Sequence, residues 1–135
     1  MADIAPVATI QPYPSKSPWF DISQYLTAGL SPRYDQSCLA CPDGNFIHFV
    51  LMFSIDKNDP GLENMWVLRN LPNVFRVAVN SVANGWFTSP SGVSTAYQVE
   101  FSYGVAGAIR FPGLGVKLAD FSGASLSLTA PRRKP

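Results

Sequence analysis

Apolar and polar side chains alternate most clearly in residues 93–103, in the C-terminal half of the chain. On one side of the alternation stand Val93, Thr95, Tyr97, Val99, Phe101 and Tyr103. On the other side stand Ser94, Ala96, Gln98, Glu100 and Ser102. A helix would scatter these aromatic rings around its circumference, whereas a strand gathers them on one face. The pattern therefore predicts a β-strand with one buried face.

Further strands are predicted before and after this one. They are residues 45–55, 66–71, 74–82, 105–111, 114–118 and 124–130. The first is apolar at most consecutive positions, which indicates a central strand covered on both faces. The last alternates, and its Leu126 and Leu128 are predicted to point inward. Between two of the strands, Asn84 and Gly85 predict a tight turn, because both residues accept a positive φ.

About seven short strands, with no helix long enough for a parallel crossover, predict an all-β fold. The expected architecture is an antiparallel β-sandwich of the jelly-roll kind, with a barrel as the alternative. One short helix is predicted after Asp21, which can cap it, and Gly29 can end it. Residues 31–45 are rich in Ser, Pro, Asp and Gly and are predicted to form a loop.

The N-terminal residues 1–18 show little periodicity and are rich in proline. These prolines are Pro6, Pro12, Pro14 and Pro18. Each proline fixes its own φ and pushes the preceding residue towards extended conformations. We therefore expect an extended arm that lies along the surface of this domain or of a neighbour, with a disordered linker as the alternative. The expected organisation is this arm, one β-sandwich domain over residues 19–131, and a basic tip at residues 132–135.

Length and composition favour a single, weakly charged domain. The 135 residues suffice for one hydrophobic core and leave no room for a second. Hydrophobic residues make up 47% of the chain and charged residues 14%, which excludes a disordered protein. Much of the surface must then be uncharged, and such a surface suits a protein that stays docked against a partner.

The distribution of charge indicates no nucleic-acid partner. The net charge is +1, but residues 1–131 carry seven basic and nine acidic side chains, a net of −2. A nucleic-acid-binding protein would show a basic patch or stripe. The longest apolar stretch, residues 46–53, is too short to span a membrane, and no signal peptide is recognisable. We therefore expect synthesis in the cytoplasm and no membrane partner.

Cys38 and Cys41 have the spacing of a Cys-x-x-Cys motif. A redox function needs a thiolate stabilised at a helix start, but Pro42 and Gly44 follow at once. A structural zinc site needs four ligands, and His48 is the only further candidate. We expect structural thiols or a small local disulfide, with a metal shared between subunits or a redox function as alternatives. No cofactor and no metal site within the chain are expected.

His48 is the only histidine and lies within the most apolar strand. Histidine can act as a general base near neutral pH, but no recognisable nucleophile motif accompanies it. We expect a packed or hydrogen-bonded core histidine and no enzymatic activity.

Residues 56–63 collect acidic and amide side chains, but Pro60 and Val67 break the spacing of a calcium loop. A solvated turn is expected there.

Three tryptophans, Trp19, Trp66 and Trp86, are candidates for a binding surface. Trp86 is the best of them for stacking on a sugar ring, because it follows the predicted turn. Core packing or a protein-interface anchor is the alternative, since aromatic side chains dominate both. The C-terminal Arg132, Arg133 and Lys134 predict either a solvated tail or a short electrostatic clamp on an acidic partner.

Taken as a whole, the chain resembles the cement or decoration proteins of tailed-phage capsids. The resemblance is carried by the arm from Ala5-Pro6 to Ser17-Pro18 and by the serial strands from Phe46 to Thr129. It involves no specific motif, and no functional residue can be carried over. It implies a jelly-roll or other β-sandwich fold, attachment to an outer capsid surface, and symmetric contacts in paired or trimeric copies. It also implies that the protein catalyses nothing.

The expected function is that of a non-enzymatic virion protein that binds and stabilises the outer surface of an assembled capsid. Its expected partners are the major capsid protein and further copies of itself. The predicted partner-binding residues are Pro6, Pro12, Tyr13, Pro14, Pro18, Trp19, Trp86, Arg132, Arg133 and Lys134. A carbohydrate-binding module and a phage tail or spike component are the alternatives. An enzyme would be preferred only if His48 were required for a measured activity.

Overall fold

The fold is built almost entirely of antiparallel strands, and the computed structural model describes residues 18–103, 109–111 and 116–133. The strands are β1 (Phe20–Asp21), β2 (Leu30–Pro32), β3 (Cys38–Asp43), β4 (Phe46–Ile55), β5 (Trp66–Leu68), β6 (Ser81–Thr88), β7 (Ser94–Phe101), β8 (Ile109–Arg110) and β9 (Gly123–Pro131). Single turns of 3-10 helix cover Ser23–Tyr25, Asn73–Phe75 and Leu118–Asp120. Within these residues, none of the helical turns has the length or apolar character to cross a membrane.

All nine strands belong to one curled sheet with the order β1-β3-β4-β9-β6-β7-β8-β5, and β2 also pairs with β4. The curl brings the two ends of the sheet together. The Thr27 N–H donates to the Val67 carbonyl at 3.1 Å, and the Arg69 N–H donates to the Tyr25 carbonyl at 3.1 Å. The all-β, antiparallel class is therefore confirmed. The two-layer packing of a jelly roll is not confirmed, because the described strands form a single half-barrel-like sheet.

The hydrophobic core fills the inside of the curl. Strand β4 contributes Ile47, Phe49, Leu51, Phe53 and Ile55, all of them buried. The Phe49 ring meets the Phe101 ring of β7 at a centroid distance of 4.9 Å. A second aromatic group lies around Phe87, whose ring is 4.6 Å from that of Phe111 and 5.4 Å from that of Phe121. Burying each such side chain stabilises the fold by about 1.5–3 kcal/mol relative to leaving it exposed.

The alternation predicted for residues 93–103 is confirmed over residues 97–101 of β7, whereas Val93, Thr95 and Tyr103 on the predicted inner side are exposed. Val99 and Phe101 are buried on the inner face, whereas Gln98, which points to the outer face, is exposed. The same period holds in β4, and there it corrects the prediction of a strand covered on both faces. Phe46 and Val50 point to the outer face and are exposed. Strand β4 is central in the sheet, but only one of its faces packs against the core.

Residues 31–45 are not the predicted loop, because β2 and β3 occupy most of them. Strand β3 pairs with β4 over its whole length, from Cys38 opposite Leu51 to Asp43 opposite Phe46. Pro42 is tolerated because its nitrogen points away from β4, so no hydrogen bond to β4 is lost. On that other side of β3, β1 pairs only with Leu39 and Ala40 and does not reach Pro42. Pairing with a long, apolar neighbour thus overrides the turn-forming composition of this segment.

The predicted turn at Asn84 and Gly85 is also wrong, since both residues lie in the middle of β6. The chain reverses instead after Ser89, where the Gly92 N–H donates to the Ser89 carbonyl at 2.9 Å. Gly85 is needed for packing rather than for a turn. A Cβ atom on it would lie 2.9 Å from Cε1 of Phe87 and 3.3 Å from Cγ2 of Val99.

The other predicted elements differ in extent. The short helix after Asp21 is one 3-10 turn, and the Asp21 carboxylate accepts a hydrogen bond from the Ser23 N–H at 2.8 Å. The strand predicted over 74–82 begins only at Ser81, after the 3-10 turn Asn73–Phe75. Leu118 belongs to a 3-10 turn, not to a strand. Residues 104–108 and 112–115, which carry parts of two predicted strands, lie outside the described residues.

Candidate functional site on the outer face of the sheet

The outer face of the sheet is formed by the side chains of β3, β4, β9, β6 and β7 that point away from the core. The strand register sets which of them are neighbours. On β9, Ser127 lies beside Val50 of β4, and Ser125 lies beside Met52 of β4 and Trp86 of β6. Serine and threonine therefore occupy the middle of this face, and the larger apolar side chains stand on either side of them.

Trp86 is the most prominent side chain of the outer face. It lies between Ser125 on β9 and Ala96 on β7, and 57% of its surface is exposed. The orientation follows from the strand period, because Gly85 and Phe87 on either side of it are buried. Because both neighbouring side chains are small, the indole projects above the surrounding surface. This geometry suits a platform or an anchor. Trp86 stands on a strand and not after the predicted turn.

A second feature of the outer face is the group of side chains around His48. Its Nδ1 lies 2.8 Å from the Thr129 hydroxyl oxygen, and its Nε2 lies 3.5 Å from an oxygen of Asp43. The indole of Trp19 packs nearby, with ring centroids 6.2 Å apart. The predicted hydrogen bonding of His48 is confirmed, but its predicted place in the core is wrong. The imidazole is half-buried and belongs to the outer face.

The Asp43 carboxylate, the His48 imidazole and the Thr129 hydroxyl follow one another in the order of a hydrolase catalytic triad. Such a site also needs N–H donors aimed at the developing oxyanion. Around Thr129 the backbone N–H groups lie in the plane of the sheet that contains β4 and β9 and do not point out of its face. The geometry therefore suits a structural role, in which Asp43 and Thr129 fix the ring on which Trp19 rests.

Cys38 and Cys41 are both buried, and neither is in a disulfide. Their places in β3 separate them, because Cys38 lies opposite the core residue Leu51 and Cys41 lies opposite His48 of the outer face. Three strand residues span about 10 Å, which is too far for a disulfide. The local disulfide proposed from the sequence is therefore incompatible with this fold. Burial raises the pKa of the Cys38 thiol, so it stays protonated at neutral pH.

No metal site is seen within the part of the chain that the structure describes, where no group of three or more His, Cys, Asp or Glu side chains converges. In the acidic segment, the Asp56 and Asp59 carboxylates accept hydrogen bonds from the Asn58 and Gly61 N–H groups at 3.0 and 2.7 Å. Both carboxylates thus stabilise their own turn. This agrees with the solvated turn predicted there.

Trp66 is not a free platform, unlike Trp86. The guanidinium carbon of Arg69 lies 4.7 Å from its ring centroid, and that of Arg110 lies 5.9 Å away. Arg69 is held in place by a 2.7 Å ion pair with Glu63. Two cations therefore occupy the surroundings of the indole, and a sugar ring would have to displace them.

Two of the three basic C-terminal residues are held against the domain. The Arg132 N–H donates to the Asn45 carbonyl at 2.8 Å, which extends the sheet. The Arg133 guanidinium lies 4.1 Å from the centroid of the Tyr103 ring. A solvated tail is therefore wrong for these two residues. Lys134 lies outside the described residues.

The predicted arm is described only at its end. Pro6, Pro12, Tyr13 and Pro14 lie outside the described residues, and Pro18 is exposed where the description begins. The next residue, Trp19, lies on the outer face against His48. The structure thus places Trp19, which directly follows the predicted arm, on the same face as Trp86. Its partner His48 lies beside Thr129 of β9 and Trp86 lies beside Ser125, four residues apart.

No protein-family model matches this sequence, and no curated protein matches it significantly.

One candidate surface was missed by sequence reasoning, namely the side of β7 that faces away from β6. The alternation in residues 93–103 predicts the strand itself, but it carries no information on which strands flank it.

Proposed function

We propose that this chain is a non-enzymatic virion protein that binds the outer surface of an assembled capsid and stabilises it. The observation that carries the proposal is Trp86, an indole 57% exposed on the face of a rigid sheet. Tryptophan is enriched among the residues that dominate binding energy at protein interfaces. Burying so much apolar surface is a strong driving force for docking.

The surroundings of Trp86 are easily desolvated. Its outer-face neighbours are Ala96, Ser125 and, further along β6, Asn84 and Val82. None of them carries a charge, and hydroxyl and amide groups can exchange water for partners across an interface. Covering this area therefore costs far less than covering a charged surface would.

The arm and Trp86 would act together. Trp19, the residue directly after the arm, lies on the same face as Trp86. Two linked contacts bind more tightly than either alone, because the second forms within an already bound molecule. A protein that binds only the assembled shell stabilises it by mass action, by about 2.7 kcal/mol when its free concentration is 100 times its Kd.

The test is co-sedimentation of the purified chain with assembled tailed-phage capsids. The wild-type chain is expected to sediment with the particles, and Trp86→Ala is expected to weaken attachment about 30-fold or more, the loss of one dominant anchor. Tyr34→Ala is the matched control, since Tyr34 is 62% exposed in the loop after β2. A wild-type chain that stays at the top of the gradient would refute the proposal.

A second candidate function is carbohydrate binding, and the setting of Trp86 is the observation that favours it. Asn84 and Gln98 face each other on the same side of the sheet, next to the indole. An exposed ring beside amide donors and acceptors suits a sugar ring. The distinguishing experiment is a glycan array. A signal that Trp86→Ala abolishes and Tyr34→Ala leaves intact would favour this function over capsid attachment.

A further inference from the structure

Strand β7 is paired on one side only along most of its length. Strand β6 pairs with all of it, from Ser94 opposite Thr88 to Phe101 opposite Ser81. On its other side, β8 pairs only with Glu100 and Phe101. Within residues 18–103, 109–111 and 116–133, no strand pairs with that side of residues 94–98, and four of these five residues are exposed.

The backbone groups on this side point outward in a regular pattern. In the turn between β6 and β7, the Ser89 N–H donates to the Val93 carbonyl at 2.8 Å. Since hydrogen-bonded and non-bonded pairs alternate in an antiparallel ladder, Thr95 and Tyr97 also direct their N–H and C=O groups at β6. Ser94, Ala96 and Gln98 must then direct theirs away from it. The edge therefore offers three donors and three acceptors to an incoming strand.

The edge lacks the features that usually prevent strand pairing. Natural edges are protected by lysine, proline, a bulge or an inward-pointing charge. Residues 94–98 read Ser-Thr-Ala-Tyr-Gln, with no charge and no proline. Threonine and tyrosine also favour extended conformations. The segment is therefore competent to add a strand.

The geometry points to a second copy of this chain as the added strand, paired antiparallel to β7 about a two-fold axis at Ala96. The open segment is centred on Ala96, so the two copies would place Ser94 opposite Gln98, Thr95 opposite Tyr97, and Ala96 opposite itself. A polar pair, a β-branched residue with an aromatic one, and two small residues are all compatible cross-strand neighbours. About six backbone hydrogen bonds would form.

The length of the edge favours a second copy over an unrelated peptide. At Glu100 the open side ends, because β8 begins there and Arg110 pairs with the Glu100 carboxylate at 3.5 Å. A partner strand that continues past this point would meet β8. In the antiparallel pair, the residue opposite Gln98 is Ser94 of the second copy, and just before Ser94 its chain reverses at Ser89–Val93. The second copy therefore ends its pairing before it would meet β8.

The two-fold arrangement also brings the Trp86 side chains of the two copies close to each other on one face. Trp86 is the direct neighbour of Ala96 on β6, so the two indoles would lie about 14 Å apart, three strand spacings, over the paired alanines. The outer face would then run continuously across both copies. Pairing of five residues and partial cover from two indoles is a small interface. We therefore expect a dimer with a Kd on the order of micromolar.

The experiment is sedimentation equilibrium of the full chain over a range of concentrations. The wild-type chain should show a reversible monomer–dimer equilibrium, and Ala96→Lys should weaken it at least 10-fold by placing two like charges on the axis. Ser127→Lys is the matched control, because it adds the same charge to the same face on the central strand β9 and should leave the dimer intact. Mixing A96K with A96E should restore association.

A cross-link gives a second readout that does not depend on adding charge. Opposite residues of a hydrogen-bonded pair have Cα atoms about 5.5 Å apart, within the range of a disulfide. Ala96→Cys should therefore form a covalent dimer when oxidised glutathione accepts the electrons of the two thiols, and Ser127→Cys should not. A chain that stays monomeric at all concentrations, or a dimer that both lysine variants leave unchanged, would overturn the inference.

The inference is independent of the proposed function, and the two can fail separately. A monomer that still sediments with particles contradicts the pairing of β7 alone. A dimer that fails to sediment with particles contradicts capsid attachment alone.

Discussion

The packing around Gly85 makes a quantitative prediction about the interior of the sheet. Replacing Gly85 with alanine places a Cβ atom 2.9 Å from Cε1 of Phe87, closer than such atoms pack in proteins, and 3.3 Å from Cγ2 of Val99. The Phe87 ring cannot easily retreat, because it is fully buried with the Phe111 ring centroid 4.6 Å away. Overpacking of this kind costs about 1–3 kcal/mol.

One effect works in the opposite direction. Gly85 does not have a positive φ, so alanine fits its backbone conformation. Alanine also restricts the unfolded chain, which stabilises a protein by about 0.4–1 kcal/mol when no strain is introduced. The net expectation for Gly85→Ala is a loss of about 0.5–2.5 kcal/mol in the free energy of unfolding.

Urea unfolding of Gly85→Ala, Phe87→Leu and the double variant tests the cause. Leucine has no atom at the position of Cε1, so the cost of Gly85→Ala should largely disappear when Phe87 is already leucine. If Gly85 lay in a turn with a positive φ, the cost would be the same in both backgrounds. An increase in stability for Gly85→Ala alone would refute the packing described for β6.

Two further predictions concern the core. Phe49→Ala should lower the free energy of unfolding by about 3–5 kcal/mol, because its fully buried ring packs 4.9 Å from that of Phe101, and urea unfolding measures it. The raised pKa of the Cys38 thiol predicts a loss of stability in alkaline solution. Its ordinary value is 9.0, so the stabilisation is complete below about pH 9 and is lost as the pH rises towards the higher folded-state pKa. The shift in urea midpoint between pH 8 and pH 10 should be smaller in Cys38→Ala, and an equal shift in both proteins would contradict the assignment.

Local pattern predicted β7 and β9 correctly because burial on one face of a strand imposes a period of two on the sequence itself. Val99 and Phe101 are apolar since they face the core, whatever strand lies beside them. The same reasoning missed β3, where Pro42 and Gly44 suggest a loop. Strand β3 exists because β4 offers it a long partner, and that information lies in residues 46–51 rather than in β3.

The candidate surfaces, too, were predictable only where the local sequence determines them. Trp86 was found from its residue type, but the turn predicted beside it was wrong, because Asn84 and Gly85 are held in β6 by pairing with β7 and by the packing of Phe87. The open side of β7 was not predictable. Whether a strand lies at an edge depends on which distant segments pair with it, and no local pattern records that.

The position of Trp86 within the sheet bears directly on how tightly it can bind. Its strand has a paired neighbour on both sides at this point, with Ser125 of β9 and Ala96 of β7 directly beside it. The backbone is therefore already ordered before any partner arrives, and only the side-chain rotamer must be fixed on docking. An anchor on a loop would lose backbone freedom as well, at about 1–2 kcal/mol per residue ordered. Trp86 thus retains more of the free energy of burial than an equally exposed loop residue such as Tyr34 would, which is why those two residues form the informative pair of variants.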